Sequence, residues 1–383
     1  MLAALTENPS LLAGVIASIC VLAIAYSRFT LYLARRRMAL ANGCKPIEKF
    51  YPIKDPIFGI DNILESIKAK RELRLLDRFK ENFEKHGNTF KSRLGQQHIY
   101  ATREPENVKT ILSLKFKDFG LGGRDKAFGP LLGKGIFTMD GDFWAHSRAM
   151  IRPNFTRDQV ADLEAFERHI QELWKILPRD GTTVDLQELF FRFTIDSATE
   201  FLFGVSTGTL KGDAGAATGK HFAKAFTVAQ DACASRSRLG SLAIFFPDKE
   251  ADEATDFCHK FVGQFVDEAI RYRESGDVEK KGDSDKYLFL RQLASETKDK
   301  TRLQDELLNV LLAGRDTTAS LLSNMWFQIA KDPTIFQKLR EEVLSTFPNG
   351  ELPTYEKLRN MKYLKYCMNE CEFCMMAECL PKS

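Results

Sequence analysis

From Leu11 to Tyr26 the chain reads LLAGVIASICVLAIAY, without a single charge. This is slightly short of the ~20 residues a spanning helix needs. Phe29 and Leu31 to Leu33 extend it, with Arg28 snorkelling toward the headgroups. The pattern predicts a transmembrane anchor over 11–33, after a lumenal leader of residues 1–10. Arg35, Arg36 and Arg37 follow at once and place that side in the cytoplasm. A cleaved signal peptide is the rival reading, but it carries its positive charge before the apolar run, and here the charge comes after it. Residues 34–61 form a basic, Pro-rich linker, extended from Gly43 to Asp61 and marked by Pro46, Pro52 and Pro56.

Beyond the linker, Leu64, Ile67, Leu73, Leu76, Phe79 and Phe83 recur near helical spacing and predict a helix over 62–85. Thr89 to Leu94 and His98 to Thr102 read as two short strands around Gly95, followed by a helix over 105–114. Residues 116–141 are Phe-rich and repeatedly broken by glycine, which reads as a long loop of the kind that often carries function. From Asp158 most segments have helical periodicity, apart from a charged surface loop over 271–286. The expected fold is mainly α with a small β portion.

Thr301 to Ala330 is the most informative stretch. Thr301 with Gln304 reads as a capping box at its start, and Asp332-Pro333 ends it. Leu303, Leu307, Leu308, Val310, Leu311, Leu312, Leu321, Leu322, Met325 and Trp326 cover nearly every face, which predicts a helix in the middle of a core. At its centre stands Ala313-Gly314-Arg315-Asp316-Thr317-Thr318. Gly in a helix interior costs about 1 kcal/mol, and unpaired polar groups in an apolar core cost more. One reading is a local bulge that admits water, leaving a wet polar notch suited to delivering protons to something bound against Ala313 and Gly314. The other is that the threonines bond back to carbonyls one turn earlier while Asp316 meets a nearby Arg.

Trp144 and Arg148 are four apart and share a helix face. They can form an ordinary cation–π pair, or grip one carboxylate with an indole N–H and a guanidinium. Composition adds limits. With 55 basic against 52 acidic residues there is no overall field to attract nucleic acid. Eight cysteines in 383 residues are too sparse for a disulfide scaffold and fit a reducing compartment. The 30 phenylalanines suggest bulky core packing or a greasy ligand pocket.

AGRDTT in a long central helix resembles the oxygen-binding helix of cytochromes P-450, and W-x-x-x-R preceded by Gly141 and followed by Pro153-Asn154-Phe155 is similar to that family's heme-propionate helix. The resemblance covers roughly Leu11 to Glu370, with an incomplete catalytic domain over 62–370. It implies a heme-thiolate monooxygenase fold in which Ala313 and Gly314 flank the heme, Asp316 and Thr317 serve proton delivery, and Trp144 and Arg148 hold a propionate. It also implies NADPH as electron source through a reductase partner, and a place in the endoplasmic reticulum membrane with the catalytic domain cytoplasmic. On that topology the sequon Asn154-Phe155-Thr156 stays unmodified. Residues 119–155 look most like fungal members that hydroxylate alkanes and fatty acids.

The sequence departs from the family after Glu370. That residue matches the acid of a buried Glu-x-x-Arg pair, yet Phe373 stands where Arg is expected, and an unpaired buried charge is costly. No F-x-x-G-x-R-x-C-x-G loop presenting an axial thiolate follows; residues 371–383 are an atypical Cys-rich tail, as a frameshift, retained intron or early stop would produce. Cys367, Cys371, Cys374 and Cys379 read alternatively as a zinc site. Two functions are therefore expected: a fatty-acid or n-alkane hydroxylase by family, or a non-catalytic, membrane-tethered fragment or lipid binder. Heme content separates them.

Overall fold

The structure, a computed structural model, describes residues 9–45, 47–55, 59–94, 97–155, 163–211, 217–274 and 289–377. Helix α1, Pro9–Ala41, is almost wholly exposed and is long and apolar enough to cross a membrane. It runs unbroken through Arg35–Arg37, so the first part of the expected linker is helical. At ~1.5 Å per residue the helix outreaches the ~30 Å hydrocarbon core.

Two helices replace the expected one: α2, Ile60–Arg71, and α3, Leu75–His86. Leu73 adopts a left-handed φ of 56° between them and is 94% exposed, which interrupts an otherwise helical pattern. Strands β1, Thr89–Leu94, and β2, Gln97–Thr102, pair antiparallel with Thr89 opposite Thr102. Phe50 adds a parallel bridge to Lys91 at the sheet edge. The turn at Gly95 lies outside the described residues. Helix α4, Pro105–Lys109, gives way to a π turn over Thr110–Leu114.

The glycine-broken region is not all loop. It contains α5, Arg124–Leu132, whose Ala127, Leu131 and Leu132 are buried, then α6, Gly141–Ile151, carrying the Trp-Arg motif. Helices α7, Glu164–Ile176, α8, Leu186–Phe203, α9, Ala217–Leu239, α10, Lys249–Glu274, and α11, Phe289–Glu296, precede the long α12, Lys300–Lys331. Helices α13, Pro333–Thr346, α14, Tyr355–Asn360, and α15, Lys362–Ala377, follow. The fold is mainly helical, as the periodicity implies.

Helix α12 packs against α8, α10, α5 and α11, and the main core forms between them. Leu303, Leu307, Leu308 and Leu311 supply its share, each fully buried. Burying a side chain of that size contributes about 1.5–3 kcal/mol. The phenylalanines are largely structural. Phe222 and Phe261 stack at 4.1 Å between α9 and α10, and Phe203 and Phe265 at 4.9 Å between α8 and α10.

Only the first half of α12 is core. Beyond Ala319 most residues are half-buried, and Trp326 and Phe327 are 41% and 59% exposed, so the expectation of burial on every face fails there. The start also differs. Asp299, not Thr301, is the N-cap, its carboxylate accepting from the Arg302 N–H at 3.1 Å. Asp is a stronger cap than Thr and competes successfully two residues earlier.

Candidate active site

The AGRDTT segment sits in continuous α-helix with no bulge, so the wet-notch expectation based on an opened ladder is not met. One hydroxyl of the segment is satisfied within the helix instead. The Thr317 hydroxyl donates to the Ala313 carbonyl at 2.7 Å, one turn back. Gly314, Thr317 and Thr318 are exposed, three and four residues apart, and so form a small-residue surface on one side of the helix. A Cβ at Gly314 would meet only Ala198 on α8, at 3.7 Å.

Arg315 turns the other way and is buried, which α12 tolerates because its neighbours are arranged to receive it. Its guanidinium donates to the Thr227 hydroxyl at 2.7 Å and lies over the rings of Phe191 and Phe226, at 5.2 and 5.6 Å. Burial pulls its pKa down, and the adjacent Asp316 opposes that by favouring the charge. Asp316 Oδ1 lies 3.5 Å from Arg315, and Oδ2 accepts from the Gln230 amide on α9. Arg315 Nε and Asp316 Oδ1 have no hydrogen-bond partner. Both residues wall a cavity of about 520 Å³ between α8, α9 and α12, along with Glu188, Arg192, Lys220, Lys224 and Asp231. The acid thus has a polar surround without any distortion of the helix. Thr227 and Gln230 escape sequence reasoning, because they lie some 85 residues from the motif and carry no pattern of their own.

On α6, Arg148 lies over the Trp144 ring at 5.7 Å, so the two do share a face, and Phe116 packs on Trp144 at 5.3 Å. Trp144 is half-buried and Arg148 exposed, and Arg148 enters no ion pair among the described residues. Its N–H groups are open to a carboxylate. The structure therefore gathers the named residues into two groups, Trp144 with Arg148 and Ala313 to Thr317.

These features can be compared with what a heme needs. An open pair of carboxylate donors on α6 and a small-residue surface on α12 suit two of its contacts. The third is an axial thiolate, and the described free cysteines are Cys20, Cys44, Cys233, Cys258, Cys367 and Cys371. Cys233 and Cys258 are fully buried in the core, and burial pushes the Cys258 thiol up to about 12. On α15, Cys371 is buried, while burial and Glu342 raise the Cys367 pKa. No group of metal ligands occurs among the described residues. The side chains of Phe373, Cys374 and Cys379 lie outside them, so the zinc reading falls partly outside as well. Glu370 is exposed on α15, and the penalty expected of a buried carboxylate there does not arise.

Comparison with known proteins gives the family. The cytochrome P450 family model matches residues 56–371. The chain is 44% identical over 355 residues to cytochrome P450 monooxygenase himC of Aspergillus japonicus, covering 91% of this chain and 63% of that one. It is 45% identical over 356 residues to fsdH of Fusarium heterosporum, covering 90% and 62%, and 42% identical over 331 residues to cytochrome P450 52A12 of Debaryomyces hansenii, covering 82% and 63%. The chain thus spans a little over three-fifths of the length of these relatives. Among solved structures, the heme domain of cytochrome P450DA superposes with a TM-score of 0.65 at 16% identity, covering 84% of this chain and 69% of that one, a likeness of fold. With a central helix carrying AGRDTT, a mainly helical fold and relatives of this similarity, the chain belongs to the cytochrome P450 monooxygenase family.

Proposed function

We propose that the chain serves a heme-thiolate monooxygenase reaction on long apolar substrates, fatty acids or n-alkanes, with electrons from NADPH through a reductase partner. The family membership over residues 56–371 is the observation that carries this reading. The substrate class rests on the likeness of residues 119–155 to fungal fatty-acid and alkane hydroxylases. Bound heme supplies the activation of dioxygen that such C–H hydroxylation requires. In this reading Trp144 and Arg148 bind a propionate through their N–H groups. Asp316 exchanges protons with the polar cavity while Gln230 orients its carboxylate. The Thr317 hydroxyl, donating to Ala313, keeps its oxygen free to accept a proton or hydrogen bond. Helix α1 anchors the assembly in the endoplasmic reticulum membrane, with Arg35–Arg37 and the catalytic domain on the cytoplasmic side.

The alternative reading is a membrane-tethered lipid binder without catalysis, for which the exposed, apolar helix α1 is the supporting observation. Titration of the detergent-solubilised chain with hemin, followed by a carbon-monoxide difference spectrum, separates the two. A thiolate-type Soret band supports the monooxygenase reading, while saturable fatty-acid binding with no such band supports the other.

A further inference from the structure

The first turns of α12 present Arg302, Asp305, Glu306 and Asn309, at spacings that place all four on one face. Such a stripe is unexpected in a core, where polar groups are costly unless each is met by a partner. Asp305 is 6% exposed, Glu306 and Asn309 are fully buried, and the Arg302 side chain is 11% exposed. Asp305 and Asn309 have partners on the segment that leads into α6. The Asp305 carboxylate accepts from the Lys134 N–H at 2.7 Å. Asn309 accepts from the Phe137 N–H at 3.0 Å and donates to the Leu132 carbonyl at 2.8 Å. The approach is so close that only glycine fits opposite. A Cβ at Gly133 would lie 2.0 Å from the Asp305 carboxyl carbon, and one at Gly135 would lie 2.3 Å from the Asn309 amide nitrogen.

Arg302 completes the seam on α6 itself. It donates to the Ser147 hydroxyl at 2.7 Å, lies 4.0 Å over the Phe143 ring and pairs with Glu306 at 3.0 Å. Phe143 and Ser147 immediately precede Trp144 and Arg148, so the two pairs occupy adjacent rows of one helix, about 100° apart. A guanidinium held over one row sets the rotation of α6 about its axis, and that rotation decides where the other row points. Glu306 thus holds the Arg302 guanidinium from one turn further along α12.

We propose that Arg302, seated by Glu306, is a positioning residue for the carboxylate-binding pair Trp144 and Arg148. The ligand side of this inference rests on the heme reading, but the positioning itself does not. The test uses the full chain in detergent with Trp174→Phe and Trp326→Phe, which leaves Trp144 as the single tryptophan for selective excitation. Arg302→Gln with Glu306→Gln removes the ion pair without stranding a charge, and Ser147→Ala removes one hydrogen bond as a milder variant should the first fail to fold. Either variant is expected to raise acrylamide quenching of Trp144 while far-UV circular dichroism stays unchanged. Hemin affinity should fall about tenfold in the Arg302/Glu306 variant, in keeping with loss of an outer-shell partner. The combined variant with Arg148→Gln should then lose no more hemin affinity in total than Arg148→Gln alone. Unaltered Trp144 quenching in the folded variants would overturn the proposal, as would losses of hemin affinity that simply add. Altered quenching with hemin affinity indifferent to Arg148→Gln would leave the positioning intact and refute the heme reading.

Discussion

Asp196 offers a direct test of how the cavity wall is built. It is 1% exposed on α8, and its Oδ1 receives the Thr207 hydroxyl at 2.6 Å, the Thr209 N–H at 2.8 Å and the Thr209 hydroxyl at 2.9 Å. Oδ2 receives the Leu210 N–H at 3.0 Å. The knot matters to the site because the Thr207 carbonyl abuts Gly219, where a Cβ would come within 1.9 Å, at the start of the helix carrying Thr227 and Gln230. Asp196→Ala strands two buried backbone N–H groups at about 1–3 kcal/mol each, so a loss of about 3–5 kcal/mol is expected. Asp196→Asn keeps the busier oxygen and forfeits one bond, for about 1–2 kcal/mol. Urea unfolding in detergent, followed by far-UV circular dichroism, should show lower midpoints with unchanged slopes. Equal losses for Ala and Asn, or a loss under about 1 kcal/mol for Ala, would show that the carboxylate does not organise this turn.

Further outcomes follow from the same geometry. Burial raises the pKa of Glu306, with Ser147 and Arg302 partly opposing it, and burial likewise raises that of Asp305. The folded state then holds more protons than the unfolded state above the ordinary carboxylate range, so stability should fall as pH rises through that window toward neutral. Glu306→Gln should flatten this fall, and an unchanged profile from pH-dependent urea unfolding would count against the assignment. Gly133→Ala puts a side chain at φ +60° against a buried carboxylate, and should lower stability by about 2–4 kcal/mol, with a normal unfolding midpoint as the refuting result. Asn154 is fully buried and donates to the Met150 and Ile151 carbonyls, so the folded chain should stay unglycosylated even where transferase is present; a mass shift removed by glycosidase would refute this. In a heme-loaded, turning-over form, Asp316→Ala or Thr317→Ala should reduce product per NADPH, since general acid catalysis contributes about 10²–10⁴-fold in rate. Unchanged coupling would remove both residues from the proton path.

The elements legible in the sequence are those with strong, local periodicity. The apolar first helix, the strand pair and the long helix of AGRDTT belong here, each set by hydrophobic spacing and end signals spanning few residues. The misses have local causes too. Leu73 is apolar at the right spacing, yet its backbone turns left-handed, which no period reveals. Helix α5 hides among glycines because Gly129 and Pro130 read as breakers, while tertiary burial of Leu131 and Leu132 decides the outcome. At the site, Asp316, Thr317, Trp144 and Arg148 stand out by motif, whereas Arg302, Glu306 and Gln230 look like ordinary surface residues. Arg302 and Gln230 gain significance from partners 155 and 85 residues away, and Glu306 through Arg302.

Helix α12 changes character along its length: sealed from Leu303 to Leu311, open at Gly314, Thr317 and Thr318, and bare at Trp326 and Phe327. One continuous ladder of hydrogen bonds therefore belongs to two neighbourhoods of unequal local stability. Amide hydrogen exchange should report this as a gradient, with the first turns exchanging only through global unfolding and the last through fraying that leaves the core intact. The AGRDTT segment sits at the crossover, where it can breathe without the rest of the molecule coming apart.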